Sequence, residues 1–302
     1  MIRPSARPTL YLVDASLYVF RAWHSMPDEW HDQDGWPLNA VQGFTRFLLE
    51  LIERERPRHI AIAFDEALDS CFRNRLYPQY KANRPPAPEE LKRQFVQCKA
   101  LCQALGIATL AHGQYEADDL IGSAVVAARA QGYRSVIVSA DKDLSQLLED
   151  DDEQYDFGRG QRWGVAGVKA RHGVQAHQIA DYLALCGDSV DNIPGVNGIG
   201  QKTAAALISH FGGLDDLLGR IDEIAFLRLR GAAATARRLH EQREHALLWR
   251  QLTRIACDAP LDPHEPPFAR IKADDAALSA FAERTRLGPI TRRRLLEAAT
   301  IR

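Results

Sequence analysis

Nine acidic residues fall in short clusters along the chain, and each cluster lies beside an apolar run. The nine are Asp14, Asp65, Glu116, Asp118, Asp119, Asp141, Asp143, Asp188 and Asp191. If the fold gathers this many carboxylates at one place, they repel each other strongly unless divalent cations bind among them. Oxygen ligands select hard cations such as Mg²⁺ or Mn²⁺, which suit phosphate chemistry. The pattern therefore predicts a two-metal phosphodiesterase.

Each acid taken alone also has an ordinary structural interpretation. Asp14 or Asp65 could cap the helix that follows its strand. Asp118 and Asp119 could stabilise the first turn of a helix, and Asp191 could belong to a turn. Capping does not explain why so many acids follow strand ends, so we favour a shared metal site.

The elements that must position these acids are three apolar runs, each ending at or next to an acid. The runs cover residues 9–13, 59–64 and 135–139. Continuous apolar runs are typical of buried parallel strands, whose carboxyl ends meet at one edge of a sheet. Helical spacing in residues 41–53 and 118–130 places helices between them. The expected fold class is α/β, with a mostly parallel central sheet flanked by helices.

A basic segment separates two of these acidic groups. Residues 71–103 carry two Glu and seven basic residues, namely Arg73, Arg75, Lys81, Arg84, Lys92, Arg93 and Lys99. Tyr77, Tyr80 and Phe95 are interleaved with them, and a Pro-rich stretch at 85–88 interrupts any helix. Cations with aromatics suit single-stranded nucleic acid, so we expect Arg73 and its neighbours to bind it. A solvated, charged helical hairpin is the structural alternative.

The second half of the chain contains a glycine-rich loop before a predicted helix at 204–211. The positions of interest are Gly195, Gly198, Gly200 and Lys202. Free amides at a helix N-terminus, with a lysine beside them, favour a phosphate. The pattern indicates a helix-hairpin-helix that binds duplex DNA, in which the carbonyls of Val196 and Ile199 could hold K⁺. The alternative is an ordinary glycine-rich turn.

The composition sets limits. The chain has 302 residues and a net charge of −2, a sum that can conceal opposed acidic and basic surfaces. Five cysteines without a CxxC pair argue against a disulfide framework or a zinc knuckle, and indicate reduced thiols in the cytosol. No apolar stretch is long enough to predict a membrane span, and no signal peptide is evident.

The motifs LVDAS, IAFDEALDSCFR, YKANRPP, EADDL, SADKDLSQL and LALCGDSVDNIPGVNGIGQKTA occur in this order. In these motifs and their order, residues 10–211 resemble the 5′-nuclease family of 5′–3′ exonucleases and flap endonucleases. The resemblance implies a PIN-like sheet with a helical arch at about 70–103 and a helix-hairpin-helix (H3TH) region. The expected domains are 1–180 for the nuclease and 181–302 for the DNA-binding region and tail. Residues 255–302 match no motif, and no polymerase domain follows, so a free-standing relative is expected.

The resemblance also implies roles for individual residues. The first metal site would use Asp14, Asp65, Glu116 and Asp118, with Asp119 close by. The second would use Asp141, Asp143, Asp188 and Asp191. Tyr80, Lys81 and Arg84 match the family's arch, with Lys81 and Arg84 reaching toward the scissile phosphate. Arg21 matches a basic position after the first Asp. Because both acid groups are intact, two Mg²⁺ or Mn²⁺ ions are expected.

The expected activity is hydrolysis of DNA phosphodiester bonds at 5′ flaps, nicks or 5′ ends, or of RNA primers. Replication and repair, in the bacterial cytosol and beside a polymerase, are the expected setting for a monomeric enzyme. One alternative is a DNA-binding protein with little catalysis, which the second acid group disfavours because it would face DNA with negative charge. The other is a PIN-like ribonuclease, which would not need a duplex-binding hairpin.

Overall fold

A six-stranded sheet forms the centre of the structure, a computed structural model that describes residues 7–66, 71–262 and 268–301. The strands are β1 Thr9–Asp14, β2 His59–Ala63, β3 Ala108–Leu110, β4 Arg134–Val138, β5 Glu153–Asp156 and β6 Gln161–Trp163. Their spatial order is β3-β2-β1-β4-β5-β6, and β6 alone pairs antiparallel with its neighbour. The prediction of a mostly parallel α/β sheet is confirmed, and each predicted strand agrees with the observed one to within a residue.

Helices cover both faces of the sheet and continue beyond it. They are α1 Ala15–Ser25, α2 Asn39–Glu55, α3 Phe72–Leu76, α4 Glu89–Ala104, α5 Ala117–Ala130, α6 Val165–His172, α7 Ile179–Cys186, α8 Gln201–Phe211, α9 Leu214–Gly219, α10 Ala232–Glu241, α11 Arg243–Thr253, α12 Asp275–Arg284 and α13 Pro289–Thr300. Short 3₁₀ turns occupy Asp143–Leu147, Ala176–Gln178 and Ile221–Phe226. Within the described ranges, no helix is long and apolar enough to cross a membrane.

Alternate residues of the strands face two separate cores. Leu10 and Leu12 of β1 pack with α5 and the helices from α7 to α11. Val13 of the same strand packs on the other side with α1, α2, α4, α12 and α13. A strand buried on both faces has no polar side to alternate with, which explains the continuous apolar runs of the sequence. The sheet is thereby fixed, and its carboxyl edge becomes a rigid platform.

The range predicted as an arch contains α3, a series of turns at 77–84, a Pro-rich stretch and α4. Residue 70, where the predicted range begins, and residues 67–70 of the IAFDEALDSCFR motif lie outside the described residues. The N-terminus of α4 carries Glu89 and Glu90, whose charges favour the positive end of the helix dipole.

The C-terminal segment, for which the sequence offered no motif, returns to the α/β part of the molecule. Residue 59 of β2 forms a bridge with Ala269, and the N–H of Ile271 donates to the Gly106 carbonyl at 3.0 Å. Gly106 has a φ of +70°, and a Cβ there would lie 2.3 Å from the Ile271 carbonyl oxygen. Only glycine allows both the conformation and this approach. In the same segment, α12 packs on α4 and α13 packs on α2. Residues 268–301 therefore brace these two helices from outside.

The close packing of α1 on α2 generates a stability prediction. Glycine to alanine normally stabilises a helix interior, but a Cβ on Gly43 would lie 2.5 Å from the Cβ of Ala22. We expect Gly43→Ala to lower the free energy of unfolding by about 1–3 kcal/mol, the usual cost of overpacking a core. Urea denaturation measures this loss.

The matched control is Gly219→Ala in α9, where a Cβ meets no atom within 4 Å. This variant should unfold like the wild type or slightly later. If Gly43→Ala were as stable as Gly219→Ala, the α1–α2 interface would be looser than the structure shows.

Candidate metal centre and nucleic-acid interface

Four acids from four different elements meet at the carboxyl edge of the sheet. Asp14 ends β1, Asp65 follows β2, Asp141 follows β4, and Asp118 lies in the first turn of α5. Burial, followed by repulsion from Asp65 and Asp141, raises the pKa of Asp14 to about 7. Burial and then the charges of Asp141, Asp14 and Asp65 raise the pKa of Asp118 well above its usual value. These acids face each other, as the apolar runs predicted.

The capping role that the sequence offered as the structural alternative is also present at these residues. Asp14 Oδ1 accepts from the Leu17 N–H at 3.2 Å and caps α1, while Oδ2 accepts from the Ser139 hydroxyl at 3.0 Å. Asp65 Oδ1 accepts from the Ala117 N–H at 2.7 Å, at the start of α5. These bonds fix the orientation of the carboxylates. They prepare the acids for a ligand rather than compete with one.

The second group of acids contains Asp143, Asp188 and Asp191. Burial and the neighbouring charge of Asp141 raise the pKa of Asp143 to about 8. Its Oδ1 is buried and makes no hydrogen bond, although the Lys142 ammonium lies 3.4 Å away. The same ammonium binds Asp188 Oδ2 at 2.5 Å. An orphaned carboxylate oxygen of this kind fits a cation ligand better than a structural role.

Basic side chains cover the outer acids. Lys81 forms an ion pair with Glu116, and Arg84 donates to Asp191 Oδ1 at 2.6 Å. The Tyr80 hydroxyl lies between these acids, 2.9 Å from Glu116 Oε2 and 3.1 Å from Asp191 Oδ2. Burial alone would raise the pKa of Glu116, but Lys81 and Arg73 outweigh it and lower that pKa to about 2. The lowered pKa therefore favours the charged form of Glu116, whereas the raised pKa of Asp118 disfavours its charged form.

Lys81 also has an unusual backbone. Its φ is +55°, in the left-handed region that residues with a Cβ rarely adopt. The strained turn is held because the Lys81 N–H donates to the Asp191 carbonyl at 3.0 Å, and the Asn192 side chain donates to the Gln79 carbonyl at 2.6 Å. Strain of this kind is maintained where a side chain must point in one direction. Here it aims the ammonium of Lys81 at the acids.

The donor set at this edge fits a hard divalent cation, because it consists of carboxylate oxygens. In the described residues, however, no three His, Cys, Asp or Glu side chains are arranged closely enough to hold a metal ion as they stand. In this structure the ammonium groups of Lys81 and Lys142 are the counter-charges of Glu116 and Asp188.

Two predicted site residues have a different role, which corrects the sequence interpretation. Arg73 and Asp119 form a bidentate ion pair with both distances 2.7 Å, and their side chains are only 3% and 0% exposed. Asp119 also accepts from the N–H groups of Glu116 and Ala256. With both oxygens saturated, Asp119 is not available as a metal ligand. Arg73 donates further to the carbonyls of Leu252 and Arg254, so it cannot reach DNA.

Other predicted residues lie in varied positions. Arg21 lies 3.9 Å from Asp156 at the end of β5 and 5.4 Å over the ring of Tyr18 on its own helix α1, so these contacts are with β5 and α1 rather than with the acid cluster. Tyr80 is only 4% exposed, which leaves its ring no face for a nucleotide base. Its hydroxyl instead orients the acids Glu116 and Asp191.

The glycine-rich loop joins α7 to α8 as a hairpin. Gly195 has a φ of +70°, and a Cβ there would lie 2.3 Å from the Gly187 nitrogen, so the loop closes only with glycine. Gly200 caps α8, and Lys202 lies exposed in its first turn. The Val196 carbonyl accepts from the Ile199 N–H at 3.0 Å. Arg238 of α10 packs directly against Gly198.

A cavity of about 1,130 Å³ extends from Asp188 to the hairpin. Lys142, Arg171 and Lys202 line it, and the guanidinium of Arg171 is held 4.1 Å over the Trp163 ring. Sequence reasoning missed Lys142, Arg171 and Arg238. The position of Lys142 between Asp141 and Asp143 could have indicated that its side chain lies beside the acids. Nothing local marks the other two, because the folded chain brings them to the cavity and the hairpin.

The buried pair generates a stability prediction. Arg73→Ala leaves the carboxylate of Asp119 buried without its partner, which costs about 3–5 kcal/mol in the free energy of unfolding. Arg75→Ala, which removes an exposed cation two residues away, should change stability by less than about 0.5 kcal/mol. Urea denaturation compares the two variants. A stable Arg73→Ala with weakened DNA binding would restore the original sequence prediction.

The raised pKa values generate a pH prediction. Protonated acids are favoured in the folded state, so without metal the free energy of unfolding should fall as the pH rises from about 5 to about 8. Asp118→Asn removes one buried charge and relieves Asp14. In chelator at pH 8 the variant should be more stable than the wild type by on the order of 1–2 kcal/mol.

At about pH 5 the advantage of Asp118→Asn should shrink, because the wild-type acids are then protonated. Mg²⁺ should stabilise the wild type more than the variant. Urea denaturation at the two pH values checks this, and a variant less stable than the wild type at pH 8 would contradict the proposed repulsion.

Comparison with known proteins adds independent findings. Residues 9–173 match the family model for the 5′–3′ exonuclease N-terminal resolvase-like domain, and residues 174–276 match its C-terminal SAM fold. DNA polymerase I of Pseudomonas aeruginosa is 40% identical over 254 residues, covering 84% of this chain and 28% of that protein. For DNA polymerase I of Rhizobium leguminosarum the values are 38% over 260 residues, 84% and 25%. The chain thus spans about a quarter of the length of these relatives.

Solved structures share the fold. The bacteriophage T5 5′-exonuclease with bound zinc has a TM-score of 0.65 at 22% identity, covering 97% of this chain and 99% of that one. The T5 flap endonuclease in a pseudo-enzyme-product complex with DNA and metal ions has a TM-score of 0.66 at 22% identity, with coverage of 96% and 99%. With the matched family models spanning both parts of the chain, the protein belongs to the 5′–3′ exonuclease family.

Proposed function

We propose that the chain is a divalent-metal-dependent, structure-specific 5′ nuclease that hydrolyses phosphodiester bonds of DNA at 5′ flaps, nicks and 5′ ends. The observation that supports this most is the meeting of Asp14, Asp65, Asp118 and Asp141 at one sheet edge, where burial and then mutual repulsion raise the pKa of Asp14 and Asp118. Capping needs no such arrangement, whereas a phosphodiesterase centre does.

The acids divide into two groups in this proposal. Asp14, Asp65, Glu116 and Asp118 would hold one Mg²⁺ or Mn²⁺ ion. Asp141, Asp143, Asp188 and Asp191 would hold the other, with the orphaned Oδ1 of Asp143 as a ligand. Two ions, when bound, supply an activated water and neutralise charge on the phosphate. The hydrogen bonds at Asp14 and Asp65 fix these ligands in orientation.

Lys81 and Arg84 have a second task once metal replaces them on the acids. Both side chains lie at the mouth of the cluster, where Lys81 is 25% and Arg84 46% exposed. Released from Glu116 and Asp191, they are free to pair with the scissile phosphate and offset the charge that develops on it. The strained backbone of Lys81 keeps its ammonium in this position. The Tyr80 hydroxyl lies between the carboxylates of Glu116 and Asp191 and fixes their orientation.

The duplex is held by the hairpin in this proposal. The free amides at the start of α8 and the ammonium of Lys202 favour a backbone phosphate. The carbonyls of Val196 and Ile199 would hold a K⁺ that bridges to the same strand. Because these groups contact phosphates and not bases, binding is independent of sequence.

The bacterial relatives suggest the setting. Those named above are DNA polymerase I proteins, so we propose that this chain acts in replication and repair in the bacterial cytosol, as a monomer. A polymerase that displaces a 5′ strand would supply its flaps, and RNA primers are a further class of 5′ strand to test. The natural partner is therefore a DNA end in the course of synthesis.

The deciding experiment uses a 5′-labelled flap duplex, with and without Mg²⁺, and three proteins. The wild type should release the 5′ strand only with metal. Asp141→Ala should slow release by about 100-fold or more, because it removes an acid that faces both groups. Asp150→Ala, which removes an exposed acid nine residues later, should cut like the wild type.

Two outcomes would contradict the proposal. If the wild type binds the flap but leaves it uncut in Mg²⁺ and in Mn²⁺, the chain is a DNA-binding protein. If it cuts single-stranded RNA in preference to any DNA flap, it is a PIN-like ribonuclease and the hairpin needs another explanation.

A further inference from the structure

A small cavity with an apolar lining lies beside the acid cluster, on the side of α4. It measures about 330 Å³ and is lined by Phe64, Ala87, Phe95, Val96, Lys92 and Lys99, together with Asp65 and Glu66. Asp65 is one of the four acids that face each other at the sheet edge. The cavity therefore shares Asp65 with the reaction centre proposed above, yet none of the roles assigned so far uses it.

Three of the lining residues show that the cavity is open to a ligand. Phe64 forms a buried wall at 2% exposure, but Val96 on α4 is 69% exposed although it is fully apolar. Phe95 is fixed by an edge contact with Phe20, whose ring centroid lies 5.4 Å away. A fixed aromatic wall and an exposed valine beside a charged site are typical of a surface that is covered when a ligand binds.

The rim of the cavity has the opposite chemistry. Lys92 is exposed, and Lys99 is 28% exposed and donates to Glu66 at 2.6 Å. Two carboxylates, Asp65 and Glu66, line the cavity beside these lysines, and Glu66 pairs with Lys99. The exposed ammonium of Lys92 and the apolar walls fit a ligand that is flat and apolar in one part and anionic in another. A nucleotide in a single strand is such a ligand, since its base presents a π-face and its phosphates are anions. The volume lies at the lower end of the range for small-molecule sites, about 300–1,000 Å³, and so fits one base.

We propose that this cavity receives one unstacked base of the 5′ strand, at or next to the nucleotide that carries the scissile phosphate. The inference rests on the proposed nuclease function and deepens it. A base inside a duplex is paired and stacked and cannot enter, whereas a base at a 5′ flap has lost its partner. Filling the cavity would then be one step by which the site selects an unpaired 5′ strand and places its phosphate at Asp65.

The test combines altered substrates with a surface variant. Flap duplexes carry a single abasic nucleotide, moved one position at a time through the three nucleotides on each side of the cleavage point. For the wild type, one or two positions should lower kcat/KM by about 10-fold, as expected for a lost base contact. Val96→Glu should lower kcat/KM on the intact flap by a similar factor. On the variant, the abasic nucleotide should have no further effect.

The control variant is Val126→Glu on α5, which places the same charge at an apolar position of 45% exposure that does not line the cavity. It should behave like the wild type on every substrate. Because Val96 is exposed, Val96→Glu should fold, and thermal unfolding checks this for both variants.

A second readout is independent of cleavage. 2-Aminopurine at the sensitive position should change its fluorescence when the wild type binds the flap in chelator, and should not do so with Val96→Glu. A wild type that never cuts DNA would refute the nuclease proposal, while the fluorescence would still decide whether the base enters the cavity. If no abasic position matters, or if the effects of Val96→Glu and the abasic nucleotide simply multiply, the cavity does not bind a base. Loss of binding to a protein partner alone, with all DNA readouts unchanged, would also overturn the inference.

Discussion

The structure depends on one electrostatic constraint, the repulsion among carboxylates that a parallel sheet brings to a single edge. Asp14, Asp65 and Asp141 lie there because β1, β2 and β4 run in the same direction, and Asp118 joins them from the start of α5. The charged form of each of these acids would cost less free energy at a position away from the other three. The rest of the molecule holds them together: two cores fix the strands, and local hydrogen bonds fix the carboxylates.

Basic residues at the same edge make this repulsion tolerable. Lys81, Lys142 and Arg84 pair with the outer acids, whereas Asp14 and Asp65 of the inner four are held by hydrogen bonds and Asp118 feels the charge of Lys81 only as a weaker influence than its burial and its acidic neighbours. In the function proposed above, metal ions would be a second set of counter-charge for these acids. An exchange of the basic side chains for metal ions would free Lys81 and Arg84 to pair with a phosphate, which would link metal binding to substrate binding through Coulomb interactions.

Much of the fold follows from local signals, and much of the site follows from the fold. Uninterrupted apolar runs located β1, β2 and β4 to within a residue. The acid that follows each of these runs was placed correctly at the sheet edge. Arg73 and Asp119 were misjudged because a buried ion pair and an exposed one have the same composition. The carbonyl that holds Arg73 belongs to Leu252, 179 residues further along, and no local pattern indicates such a partner. On α5, Asp118 and Asp119 are adjacent in sequence but about 100° apart around the helix, so one faces the cluster and the other the interior.

The brace formed by residues 268–301 has a consequence for the order in which the chain folds. The bridge from residue 59 to Ala269, and the bond from Ile271 to Gly106, join parts of the chain that are synthesised at very different times. One core includes Leu278, Phe281 and Leu295, so it remains open until the last helices have left the ribosome. Contacts of such sequence separation slow folding and leave apolar surface exposed in the meantime. Until α12 and α13 pack, the face of α2 and α4 that they cover is apolar surface exposed to water.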